Sequence, residues 1–95
     1  MKAGEFANRF GANLAYCRER INISQEELGI RAELHRTAIG QLERGDRVAR
    51  TDTLVKLTGS LGVPAEELLD GLIWTPGNWT VGVMAIEPFT GKGES

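Results

Sequence analysis

The chain has 95 residues, of which 41% are hydrophobic and 25% charged, so the composition predicts one small globular domain and excludes a disordered chain. Cys17 is the single cysteine, which excludes a disulfide within the chain, and we expect it to be a small core residue. The net charge is −2, but it is unevenly distributed. Residues 1–50 hold nine Lys and Arg against seven Asp and Glu, whereas residues 51–95 hold two against six. A polyanion would therefore meet the first half of the chain.

The sequence carries no pattern typical of a membrane or secreted protein. No apolar run approaches the ~20 residues that cross a bilayer, and no basic segment followed by an apolar one opens the chain. We therefore expect a cytoplasmic protein with no membrane partner.

The first two helices are predicted from an apolar stripe and a capping pattern. Five apolar residues recur at steps of three and four: Phe6, Phe10, Leu14, Cys17 and Ile21. This spacing predicts helix 1, which ends near Ile21. Ser24 and Glu27 then form a capping box, in which the hydroxyl accepts from the Glu27 backbone and the Glu27 carboxylate reaches back to Ser24. Helix 2 is therefore expected from Gln25 to about Ala32.

Three further helices are predicted from the residues that begin and end them. Gly45 and Gly62 are expected to end helices 3 and 4, and Pro64 precedes helix 5. The predicted bounds are about His35 to Arg44, Thr51 to Leu61, and Ala65 to Leu69 or Leu72. Five helices with tight connections predict an all-α bundle.

The last segment departs from the helical pattern. Residues 71–86 contain no charged side chain, and the Pro-Gly-Asn turn at 76–78 divides them into two runs rich in Trp, Val and Ile. We predict a short strand near Leu72 to Thr75 and a longer strand from Trp79 to Ile86. Residues from Phe89 onward are predicted to be a frayed tail. The expected fold class is thus an all-α, five-helix bundle with a short C-terminal β extension.

Residues 24–69 resemble a known family of DNA-binding proteins. The segments SQEEL, IGQLERG and LGVPAEELL stand at the spacing found in the phage-repressor and Cro-like family, also called the xenobiotic-response-element (XRE) family. With helix 1 included, the resemblance covers about residues 8–70. It implies that residues 1–71 form a helix-turn-helix DNA-binding domain with its motif at about 24–45. In this motif the second helix enters the major groove and the first crosses the DNA backbone.

The resemblance also implies roles for particular side chains. The residues that match base-contacting positions are Arg36, Thr37 and Gln41. The residues expected at the DNA backbone are Gln25, His35, Arg44, Arg47 and Arg50. Arg18 and Glu43 match a structural ion pair that links helix 1 to the end of helix 3. Arg can bond guanine and Gln can bond adenine through two hydrogen bonds each, which suits base recognition. A plain solvated surface is the alternative, above all for the three arginines after helix 3.

Three positions depart from the family pattern. Gly29 stands where Ala is usual in helix 2, which still fits but weakens the helix by ~1 kcal/mol. Glu33 stands where the turn commonly has Gly, and a left-handed Glu costs about 1 kcal/mol, so a turn of different shape is expected. His35 replaces a capping Ser or Thr, so helix 3 is expected to have a weak cap and His35 to approach a phosphate instead.

These patterns favour a sequence-specific DNA-binding repressor that acts as a homodimer on an inverted repeat. Residues 72–95 would supply the dimer contact, through six apolar residues: Trp74, Trp79, Val81, Val83, Met84 and Ile86. Two alternatives stay open. One is an antitoxin or other interaction subunit, whose apolar tail covers a partner protein. The other is a ligand-gated regulator, with the two tryptophans lining a pocket. A lone His35 provides neither a zinc site nor a catalytic triad, so we expect no metal, no cofactor and no enzymatic activity.

Overall fold

The structure is a computed structural model that describes residues 3–89. It consists of five helices followed by two strands. In chain order these are α1 (Ala3–Arg20), α2 (Gln25–Ala32), α3 (Arg36–Arg44), α4 (Thr51–Leu61), α5 (Ala65–Leu68), β1 (Leu72–Thr75) and β2 (Val83–Ile86). The predicted five-helix bundle with a short β extension is therefore confirmed.

The ends of α1 and α2 follow the local sequence, with two differences from the prediction. The Ser24 hydroxyl accepts from the Glu27 backbone at 3.0 Å, as a capping box requires. The Glu27 carboxylate, however, accepts from Arg31 at 3.0 Å instead of reaching back to Ser24. Asn22 has a φ of 59°, so the chain turns away just after α1. Ile21 therefore lies beyond the helix and is exposed, and its predicted place on the buried stripe is wrong.

One apolar core lies between the helices. Its buried members come from all five helices and the loop before α5: Phe10, Leu14, Cys17, Leu28, Ala32, Ile39, Leu42, Leu57, Leu61, Val63 and Leu68. Cys17 is among them, as expected, and burial raises the pKa of its thiol. Because α1 packs on α3 and α2 packs on both α3 and α4, the core fixes the position of α3 from several sides.

The two strands form an antiparallel hairpin in which Leu72 lies opposite Ile86 and Trp74 lies opposite Met84. The first strand has its predicted bounds, but the second does not begin at Trp79. Trp79 has a φ of 65°, which is incompatible with an extended strand, so pairing starts only at Val83. The Trp74 ring covers Gly82, where a Cβ would collide with it. Hence residues 79–82 form a loop at the tip of the hairpin.

The segment after β2 also differs from the prediction. The Phe89 ring contacts the Tyr16 ring on α1, with centroids 4.6 Å apart in an edge-to-face arrangement. Phe89 is therefore packed rather than frayed. The rest of the predicted frayed tail, residues 90–95, lies outside the described residues.

Candidate nucleic-acid interface

The turn between α2 and α3 keeps a left-handed residue at Glu33, with φ 57° and ψ 43°. The Glu33 amide donates to the Ile30 carbonyl at 3.3 Å, and the Leu34 amide donates to the Gly29 carbonyl at 2.8 Å. These bonds close the end of α2 as a glycine at the same place would. The expectation of a differently shaped turn is therefore wrong. Glu33 adopts the left-handed conformation that a glycine would have, at a cost of about 1 kcal/mol.

Gly29 is required by the close approach of this turn. A Cβ at Gly29 would lie 2.5 Å from the Leu34 carbonyl oxygen and 3.4 Å from the Arg36 nitrogen. The turn therefore occupies the space that an alanine methyl group needs. Gly29 is therefore more than a tolerated departure from the family pattern. Its lack of a side chain lets α3 begin directly against α2.

His35 caps α3 with its imidazole ring. The His35 Nδ1 accepts from the Thr37 backbone at 3.1 Å, and the residue has the extended conformation of a helix cap. An imidazole nitrogen here takes the place of the usual hydroxyl or carboxylate oxygen. The His35 side chain therefore does cap α3, while the strength of this cap and the phosphate contact of His35 stay predictions.

The outer face of α3 carries the three residues predicted to contact bases. Arg36 and Thr37 are exposed in the first turn, and Gln41 is half-buried one turn later. The opposite face is held in the core by Ile39 and Leu42. Within residues 3–89, no hydrogen bond engages the side chains of these three residues. Their donors and acceptors are therefore available to a ligand that lies along α3.

The arginines that surround this face differ in their partners. Arg44 lies 3.1 Å from Asp46, and Arg50 lies 3.3 Å from Asp52, both on the surface. Arg36 and Arg47 have no ion pair in the part of the chain that the structure describes. The two aspartates were not among the predicted site residues, although each stands two residues after its arginine in an Arg-x-Asp pattern that the sequence shows. These aspartates compete with any anion for the two guanidinium groups.

A network inside the domain joins α1, α2 and α3 behind this face. The Arg18 guanidinium donates to both oxygens of Glu43, at 2.6 and 3.0 Å, and also to the Ile23 carbonyl at 2.8 Å. The side chains of the ion pair are only 13% and 7% exposed, and the bonds to Glu43 raise the pKa of Arg18 above its ordinary value. The structure thus places Arg18 and Glu43 together as the resemblance implies.

Gln25 belongs to the same network. Its amide Nε2 donates to Glu43 Oε1 at 2.9 Å, which ties the first residue of α2 to the end of α3. The Gln25 amide lies near Gly40, above which the Arg44 guanidinium folds; a Cβ at Gly40 would be 3.1 Å from Arg44 Nη1. Gln25, Arg36, Thr37 and Arg44 therefore line one shallow depression between α2 and α3.

Metal sites and membrane-spanning helices are both absent from residues 3–89. No group of three His, Cys, Asp or Glu in the described range could hold a metal ion, and no helix there is long and apolar enough to span a membrane.

The packed inner face of α2, the tight turn and the outward-facing α3 with its Arg, Thr and Gln define a DNA-binding protein of the helix-turn-helix class. Residues 14–68 match the model of the HTH_3 helix-turn-helix family, and the chain belongs to this family. The match ends at the last residue of α5, so the hairpin lies outside it. We refer to α3 below as the recognition helix.

Three similar proteins are regulators or controllers. Control protein C.BamHI from Bacillus amyloliquefaciens is 40% identical over 62 residues, which cover 64% of this chain and 76% of that protein. The crystal structure of the restriction-modification controller protein C.AhdI from Aeromonas hydrophila has a TM-score of 0.64 at 32% identity and covers 65% of this chain and 94% of its own. The DNA-binding domain of the P22 c2 repressor has a TM-score of 0.62 at 27% identity, with coverages of 65% and 82%. The chain is thus a transcriptional regulator of this family, similar to restriction-modification controllers.

Proposed function

We propose that the protein binds a specific inverted-repeat operator as a homodimer and represses transcription there, in the cytoplasm of a bacterial cell. The observation that carries this proposal is the outer face of the recognition helix. There Arg36 and Thr37 are exposed and Gln41 is half-buried, and none of the three side chains has a hydrogen-bond partner in the described chain. The other face of the helix is held in the core. Hydrogen-bonding side chains on a helix fixed in this way fit the edges of base pairs in the major groove.

The chemistry of the side chains divides the proposed contacts into base contacts and DNA-backbone contacts. Arg36 and Gln41 can each make two hydrogen bonds to one purine edge, and Thr37 offers a methyl group and a hydroxyl. The side chains that we assign to the DNA backbone surround them: Gln25, His35, Arg44, Arg47 and Arg50. These phosphate contacts would hold the recognition helix in register without selecting a sequence.

The hairpin, on this proposal, pairs two chains. Trp79 is 98% exposed, Val81 89% and Trp74 59%, while Val83 and Ile86 are also exposed and Met84 is half-buried. A two-stranded hairpin is marginally stable alone, and an uncharged edge beside large apolar side chains favours association. Residues 1–71 would thus recognise DNA and residues 72–95 would join the two copies. A two-fold dimer presents two recognition helices to half-sites about one turn of DNA, ~34 Å, apart.

The similarity to restriction-modification controllers also bears on the regulated genes. Two of the similar proteins are named as a control protein and as a restriction-modification controller, and they cover 64% and 65% of this chain. We therefore propose that the genes under control include those of a restriction-modification system.

Selection of bound sequences from random duplex DNA with the full-length protein tests the proposal. We expect enrichment of one inverted repeat with half-sites about one turn apart. Enrichment of a single unrepeated site would contradict the dimer, and no enrichment at all would contradict sequence recognition by α3. A reporter gene placed behind the selected operator should then fall in expression when the protein is present, and a rise would contradict repression.

A further inference from the structure

The hairpin is fixed to the helical bundle through Arg9 on α1, a residue that the DNA-binding site does not use. Arg9 Nη1 donates to the Glu87 carbonyl, just after β2, at 2.6 Å. Arg9 Nη2 lies 3.3 Å from the carboxylate of Asp70, just before β1, and Nε donates to Asn13 at 3.1 Å. A single guanidinium group thus contacts the chain on both sides of the hairpin.

Asn13 and the backbone hold the entry to the hairpin in the same cluster. The buried Asn13 amide donates to the Leu68 and Asp70 carbonyls, both at 2.9 Å. Across the base of the hairpin, the Glu87 amide donates to the Gly71 carbonyl at 2.7 Å. Entry and exit are therefore joined to each other and to one turn of α1.

Phe89 adds a second attachment on the next turns of α1. Its ring packs on Tyr16, and the Arg9 guanidinium lies 5.7 Å from the centroid of the same ring, within cation–π distance. We call Arg9, Asn13, Asp70 and Phe89 the clasp. Because its contacts lie on two turns of α1, the clasp restricts both the position of the hairpin and its tilt.

The same helix also holds the recognition helix. Arg18, nine residues after Arg9 and therefore roughly 13 Å further along α1, bonds Glu43 near the end of α3. One continuous helix of 18 residues thus has the hairpin attached at one point and the recognition helix at another. Because this connection is rigid, the angle at which the hairpin stands determines where the recognition helix lies.

We propose that Arg9 is a positioning residue that sets the spacing between the two half-sites the dimer accepts. This inference rests on the proposed dimer function. In a dimer joined through the hairpins, the clasp fixes how far apart and at what angle the two recognition helices stand. A released hairpin would act as a flexible linker, which tolerates several spacings and binds the best one less tightly.

The test measures the affinity of the full-length protein for a series of operators whose half-sites are moved apart or together in single base-pair steps. Arg9→Met keeps an unbranched apolar stem and removes the charge and the hydrogen-bond donors. Arg31→Met is the matched control, because it makes the same charge change at an arginine that bonds Glu27 and the Ser60 carbonyl, away from the clasp. Phe89→Ala is a second variant that leaves the Arg9 and Asp70 pair in place.

We expect the unaltered protein and Arg31→Met to prefer one spacing. In Arg9→Met, the ratio of the affinity for the preferred spacing to that for neighbouring spacings should fall by at least about tenfold. This is a part of the 10²–10⁴-fold gain in affinity that linkage of two binding sites provides. Phe89→Ala should lower this ratio in the same direction, and it decides the matter if Arg9→Met does not fold. Sedimentation should still show a dimer, and the half-site sequence preference should not change.

Two results would overturn the inference in distinguishable ways. If the unaltered protein is a dimer with a sharp spacing preference that both clasp variants keep, Arg9 does not set the spacing and the proposed function stands. If the unaltered protein is a monomer or has no spacing preference, the proposed dimer fails, and the inference fails with it.

Discussion

The helical bundle and the hairpin differ in how far their apolar side chains are buried. In the bundle, every helix contributes at least one fully buried leucine or isoleucine, and only a few apolar residues such as Ile30 and Val55 are exposed; the fully buried ones are Leu14, Leu28, Ile39, Leu42, Leu57 and Leu68. In the hairpin, Trp74, Trp79 and Val83 remain exposed, although no charged residue occurs between Gly71 and Ile86. The bundle therefore completes its own core, whereas the hairpin leaves apolar surface uncovered. This difference favours a self-sufficient DNA-binding unit to which a surface for association has been added.

The bundle and the hairpin also differ in where their polar contacts lie. The recognition helix is supported from inside the bundle, where Arg18, Gln25 and Glu43 share a nearly buried network. The hairpin has the clasp at its base and loop residues at its tip. A change in the bundle should therefore alter folding and base recognition, whereas a change in the hairpin should alter assembly.

The largest expected effect comes from removal of the hairpin by truncation after Gly71. Affinity for the two-half-site operator should fall by about 10²–10⁴-fold, because two recognition helices would no longer be linked. The truncated chain should remain helical by circular dichroism, sediment as a monomer, and bind a single half-site as well as before. An undiminished dimer after truncation would transfer the association surface to the bundle.

Glu43→Ala should give the largest loss of stability within the bundle. It leaves Arg18 nearly buried without its carboxylate and removes the acceptor of the Gln25 amide, and breaking a buried pair costs about 3–5 kcal/mol. Denaturant unfolding measures this loss. Glu27→Ala is the control, since its pair with Arg31 is exposed and contributes only about 0.3–0.5 kcal/mol. Equal losses in the two variants would refute a supporting role for the network.

Base recognition should be the next most sensitive property. Arg36→Ala and Gln41→Ala should each cost about 1–3 kcal/mol on the selected operator and relax preference at one base step. Arg47→Ala is the comparison, because loss of a phosphate contact should weaken all sequences alike and lower the salt dependence by about one unit. Titrations on the operator and on random duplex distinguish the two classes, and an identical pattern for all three variants would show that α3 does not select the sequence.

The smallest expected effect is a gain in affinity. Asp46→Asn should tighten binding to all DNA sequences by about 0.2–1 kcal/mol, because the exposed Asp46 competes with phosphate for Arg44. Glu5→Gln on α1 makes the same change in net charge and should have less effect. Fluorescence anisotropy at fixed salt is sufficient for this comparison, and an unchanged affinity would mean that Arg44 does not approach the DNA backbone.

Much of the bundle could be predicted from the sequence because its signals are local. The apolar stripe of α1, the Ser24 cap and the terminal glycines each act within a few residues, so the helix bounds differ little from the predicted ones. The errors arise where one backbone angle overrides a pattern. Left-handed conformations at Asn22 and Trp79 expose Ile21 and delay the start of β2, and an apolar pattern carries no information about either angle.

The site was predictable to the extent that the family resemblance covered it. The resemblance pointed to the outer face of α3 and to the pair of Arg18 and Glu43, which the structure places accordingly. It gave no indication of the clasp, since Arg9 and Asp70 are 61 residues apart and meet only in the folded chain. Nor did residue type reveal that the imidazole of His35 would accept from the Thr37 backbone.

Both tryptophans of the chain, Trp74 and Trp79, lie in the hairpin, and none lies in the bundle. Intrinsic indole emission of this protein therefore originates entirely from the hairpin, which we propose as the association surface. An indole that leaves water on assembly shifts its emission to the blue, whereas binding of DNA by α3 acts on a region without indole. The emission of the unlabelled chain on dilution would therefore report the proposed assembly separately from the proposed binding of DNA by α3.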